Sequence, residues 1–173
     1  LQTAHAEVPK LDVVSVGKCL PLPYVITGGT GTGGRYDWTR ADGKTGQEWT
    51  ATLRLDVDEI AVRAEGADAA IVCHDVTITG DLVEGDKPSS NLKLHAKRAA
   101  TPPLRGDKWF LPIERDWKKY PQSDRYYSYE LTADALDVPP WSGKDFKAHA
   151  YQSEKENGLD SYAAKVGDGQ IEG

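Results

Sequence analysis

From residue 48 to 58 the chain alternates: Trp49, Ala51, Leu53, Leu55 and Val57 stand between Thr50, Thr52, Arg54, Asp56 and Asp58. Val72, His74, Val76 and Ile78 repeat the rhythm. Successive side chains of a strand point to opposite faces, so a period of two predicts sheet with one face buried and one wet. The same reading marks strands at 11–16, 24–27, 35–39, 48–58, 60–65, 69–79, 91–97, 109–113, 125–131 and 145–151. Turn signals separate most of them, among them Asp42-Gly43, Glu65-Gly66, Glu84-Gly85-Asp86, Lys87-Pro88, Arg105-Gly106, Pro139-Pro140, Ser142-Gly143 and Asn157-Gly158. Helix is confined to two short candidates, 132–136 with Thr132 as cap and 159–166. The expected fold is all-β, an antiparallel β-sandwich or closed β-barrel with little helix. The 173 residues form one β domain led by a flexible segment, 1–10.

Composition agrees with a folded chain: 39% apolar and 28% charged residues can build and solvate a core. The cysteines add a constraint. Cys19 ends an early apolar run, Cys73 lies in a predicted strand, and no other cysteine is present. A Cys19–Cys73 disulfide is expected, contributing about 4 kcal/mol by chain-entropy arithmetic. Together with the absence of methionine, read as the mark of a processed product, it predicts a secreted, extracellular protein.

A net charge of -6 argues against nucleic acid as partner, because such binding is dominated by cations against phosphate. The charge is segregated. Residues 42–86 hold 11 acidic and 3 basic side chains, whereas 91–119 hold 8 basic and 3 acidic. No apolar run approaches the roughly 18 residues of a membrane-crossing helix, so no membrane insertion is expected.

The glycine cluster 28–34 contains a literal GxGxxG from Gly29 to Gly34. In a dinucleotide site a helix follows and its N-terminus receives the pyrophosphate. Here the β-prone Arg35-Tyr36-Asp37-Trp38-Thr39 follows, so a flexible loop between strands is expected and no cofactor. No HExxH, paired CxxC or GxSxG occurs, so no metal ligands and no catalytic residues are assigned. The acidic turn Asp81, Glu84 and Asp86 lacks the alternating oxygen ligands of a calcium loop. Of the histidines, His74 is expected buried on the apolar face of its strand, while His95 and His149, flanked by apolar neighbours, are expected to face solvent, or a barrel interior if the apolar face is outside. His5 falls in the flexible lead.

The functional signal is aromatic. Ten of the 15 aromatic residues fall between Trp109 and Tyr151. Tyr127 and Tyr129 share one strand face and Tyr126 takes the other, so some aromatic surface is left exposed. Flat rings with polar handles suit sugar faces and protein interfaces. Trp117, Lys118, Lys119, Tyr120, Arg125, Tyr126 and Tyr129 are the expected ligand-binding residues, for a carbohydrate or a cell-surface protein. Two other readings stand beside it: an effector or elicitor that engages a host receptor through the charge-segregated surface, and a polysaccharide hydrolase or lyase acting through Asp56, Asp58, His74 or His95 in a cleft.

Overall fold

The computed structural model describes residues 1–19, 24–40, 48–64, 70–85, 87–103, 126–153 and 157–173. The described elements are β1 (Gln2–Val8), β2 (Leu11–Asp12), α1 (Val13–Cys19), β3 (Tyr24–Arg40), β4 (Trp49–Ala64), β5 (Ile71–Glu84), β6 (Ser89–Ala100), β7 (Tyr126–Val138), β8 (Trp141–Gln152), β9 (Asn157–Val166) and β10 (Gly169–Glu172). The protein is nearly all β, as expected, but its strands form one continuous sheet in the order β1-β3-β4-β5-β6-β7-β8-β9-β10, with β2 alongside β3. The sheet is open, so the closed barrel is not seen. Every neighbouring pair is antiparallel except β6 and β7, which run parallel.

The alternation that predicted the strands also sorts their faces. One row in register runs Val57, Val76, Ala96, Ala133 and Phe146, and the next runs Leu55, Ile78, Leu94, Leu131 and Ala148. Val57, Val76, Ala96 and Ala133 are only 1–3% exposed, so this face looks inward, and each buried valine contributes about 1.5–3 kcal/mol. The opposite row, Arg54, Thr79, Lys93, Glu130 and His149, is the polar outer face.

A crease crosses the sheet. Asp58, Asp75, Lys97, Asp134 and Asp145, one on each strand from β4 to β8, are passed over by the pairing on both sides. At each, the burial pattern slips by one residue: Val57 and Ile60 both face the core, as do Ala96 and Ala99, three apart instead of two. Asp75 and Asp145 take positive φ, 49° and 54°, a conformation that aspartate tolerates better than branched residues. Strands that turn a corner by such irregularities keep their apolar side inward across the bend. The core cluster accordingly lies on both sides of the crease, with Val13 of α1 packed against it.

Several expectations are corrected. Residues 11–16 are not one strand: Asp12 accepts hydrogen bonds from the backbone N–H groups of Val14 and Ser15 and from the Ser15 hydroxyl, capping a helix at Val13. The expected flexible lead contains β1, fully exposed but paired with β3 along its whole length. The glycine cluster is no loop; it lies inside β3, where the register shifts three times between Ile26 and Gly33. Residues 132–136 and 159–166 belong to β7 and β9, not to helices. His74 is not buried: the slip at Asp75 turns it outward, 41% exposed, beside Glu59 at 3.3 Å.

The disulfide is also corrected. Cys73 forms no disulfide, so the expected bond is absent. Cys73 is a free thiol packed against the core, in register with Ile60 and Ala99, and burial pushes its pKa up. A thiol kept protonated and covered reacts slowly. We expect iodoacetamide at pH 7.5 to leave the Cys73 peptide largely unmodified in the native protein and to alkylate it within minutes in guanidinium, read by peptide mass. Equal rates in both states would place Cys73 at the surface. The disulfide therefore lends no support to an extracellular compartment.

Candidate functional site

The outer face of β7, β8 and β9 carries the most specific arrangement of side chains. Ser128 and Glu130 lie on this face of β7, Lys147, His149 and Tyr151 on β8, with Ser128 opposite Tyr151 and Glu130 opposite His149. Between β8 and β9 the register shifts: His149 pairs with Ser161 and Ala150 with Leu159, so Asp160 is the extra residue of a bulge. The bulge brings Asp160 to the His149 ring.

There Nδ1 of His149 lies 2.6 Å from Asp160 Oδ2, and Nε2 lies 2.9 Å from Ser128 Oγ. A carboxylate can only accept, so Nδ1 carries the proton and donates it to Asp160. In the neutral ring Nε2 is then a bare acceptor, and the Ser128 hydroxyl donates to it. His149 and Asp160 are 39% and 44% exposed at their side chains, so the three groups form a wet, accessible line across three strands.

Other pairs on the outer face are plainer. Lys93 meets Glu130 at 3.1 Å. Arg54 donates to Asp56 through Nε and Nη2 while the Thr77 hydroxyl donates to the same carboxylate. The Arg54 hydrogen bonds hold the Asp56 carboxyl below its usual range, so Asp56 is an engaged anion and not a poised acid. At the far edge, hydrogen bonds to Asp37 and then Glu7 raise the His5 pKa. His95 places Nδ1 3.0 Å from Thr132 Oγ1 and Nε2 3.7 Å from Asp134.

Of the expected ligand-binding residues, the structure separates the two it describes. Tyr126 is on the outer face, 43% exposed and stacked on Tyr151 with centroids 6.5 Å apart and planes 16° apart. Tyr129 is on the inner face, stacked on Tyr127 at 6.1 Å. Trp117, Lys118, Lys119, Tyr120 and Arg125 lie outside the described residues, as do Asp86 of the acidic turn and the expected strand 109–113. The sequence reading placed His149 correctly on the polar face but passed over Ser128 and Asp160. Parity on β7 was the available signal for Ser128; Asp160 depends on a bulge that carries no glycine mark.

No protein-family model matches this chain, and neither the curated proteins nor the solved structures contain a match.

Proposed function

We propose that the protein acts by recognition, binding a carbohydrate chain along the outer face of β6, β7 and β8; the expected extracellular location belongs to the same proposal. The observation that carries this reading is the Tyr126–Tyr151 stack. Two rings lie together on the hydrated face of the sheet, Tyr126 exposed and stacked on Tyr151. An apolar plate surrounded by hydroxyl, amide and imidazole groups matches a sugar ring, which offers a C–H face and a rim of hydroxyls. Asn91 and Ser128, in register across β6 and β7, and His149 supply that polar surround.

The test is a glycan array with the native protein, followed by calorimetric titration of any hit. We expect a saturable ligand whose affinity falls at least about tenfold, or about 1.4 kcal/mol, in Tyr126→Ala. The melting temperature should barely move, since the ring packs only on the outer face. A blank array, or a hit whose affinity is unchanged in Tyr126→Ala, overturns the reading.

A further inference from the structure

We propose that Ser128, His149 and Asp160 form a nucleophilic site that hydrolyses esters.

The order of the partners suits base-assisted nucleophilic attack. The carboxylate sits on Nδ1 and fixes the tautomer, and the hydroxyl sits on Nε2, the nitrogen left free to take its proton. The contrast is His95, on the same face two strands away. Its hydroxyl partner, Thr132, lies on Nδ1, and its carboxylate, Asp134, lies 3.7 Å from Nε2. There the carboxylate lies beyond hydrogen-bond reach, so it does not fix the tautomer that would leave Nδ1 bare for the hydroxyl proton. The two clusters share residue classes and differ in wiring. The backbone adds the third observation. Asp160 reaches the ring only because β9 is bulged there, a departure that interrupts the β8–β9 ladder and re-aims one side chain.

The reaction needs no partner beyond water. As Ser128 Oγ bonds to the acyl carbon, its proton passes to Nε2, and Asp160 stabilises the imidazolium that forms. The bond from the acyl carbon to the alcohol oxygen then breaks, and that oxygen leaves with the proton from Nε2. Water attacks the acyl-serine, gives a proton to Nε2, and the proton returns to Oγ as the carboxylic acid departs. Asn91, in register with Ser128, offers a side-chain N–H on the same face for the oxyanion. A groove lined by Glu130, Lys147, His149, Ser161 and Glu172 adjoins the ring. In the class of substrate the inference rests on the recognition reading: an O-acylated carbohydrate, its sugar against Tyr126 and its ester over Ser128.

The test uses the intact protein with a fluorophosphonate probe and with p-nitrophenyl acetate, neither of which contains sugar. We expect the probe to add its mass to the peptide carrying Ser128, and p-nitrophenol to appear in a burst of about one equivalent. Both should be lost in Ser128→Ala and His149→Ala. Asp160 is a positioning residue. In Asp160→Asn the rate should fall at least about tenfold with little change in KM for p-nitrophenyl acetate, and Asp160→Glu should recover part of the loss. All three side chains lie on the wet face, so circular dichroism of Ser128→Ala should match the parent. No labelling at Ser128, or turnover unchanged in Ser128→Ala, overturns the proposal. Labelling together with a blank glycan array supports this site and overturns the recognition reading instead.

Discussion

Val76→Asp is expected to abolish folding at 25 °C, while Thr79→Asp, on the same strand, is expected to change stability by less than about 0.5 kcal/mol. Val76 is 2% exposed and stands in the inner row between Val57 and Ala96. No described cation shares that row, so a carboxylate there faces a desolvation penalty of several kcal/mol. The lost valine packing adds about 1.5–3 kcal/mol. Set against a total stability of about 5–15 kcal/mol, the sum removes most or all of it. Thr79 sits on the outer row between Arg54 and Lys93, where an aspartate meets two cations in water. Thermal melts by circular dichroism check the pair. Two equally damaged variants would mean that the faces are assigned wrongly.

Gly29→Ala is expected to cost about 2–4 kcal/mol, whereas Gly33→Ala, four residues on in the same strand, should be neutral or stabilise by up to about 1 kcal/mol. Gly29 holds a φ of 143°, and a Cβ there would stand 2.5 Å from the Glu59 carbonyl oxygen and 2.6 Å from Val13 Cγ2. The carbonyl belongs to the neighbouring strand and cannot rotate away, and Val13 is the buried anchor of α1. Gly33 has nothing within 4 Å of the same position. Alanine there only narrows the unfolded ensemble. Urea unfolding of the two variants separates these outcomes, and equal midpoints would remove the close approach of α1 to β3 from the account.

Both predictions bear on what the sequence alone made legible. Period-two alternation found β4, β5, β6 and the start of β7, and assigned the inner face of β4 up to Val57 and of β5 from Val76 on, because burial on one side leaves a direct mark on residue type. Local chemistry that competes with that mark was harder to read. Val13, Val14 and Val16 suit a strand, yet Asp12 and Ser15 cap a helix there, and the cap wins. The glycines of β3 looked like a loop because flexibility and close backbone approach call for the same residue. The Cys19–Cys73 pairing was inferred from count and position, neither of which reports which way a side chain points. His74 followed its strand's alternation only as far as Asp75, where one residue with positive φ reverses the faces. The parallel pairing of β6 with β7 left no local trace at all. Candidate chemistry was legible in the same uneven way. His149 stood out by its alanine neighbours, Ser128 resembled any strand serine, and Asp160 acquires its place from a bulge in β9.

The crease has a consequence for how the sheet avoids mispairing. A strand can slide along its neighbour by two residues and keep its apolar side inward, so face preference alone leaves that error open. On β4 to β8 the kinks at Asp58, Asp75, Lys97, Asp134 and Asp145 must line up, and a two-residue slide would set one strand's bend beside its neighbour's straight run. The five kinks therefore act like the notches of a key: they hold the central strands in a single alignment and confine sliding to the unkinked edges, β1 and β10.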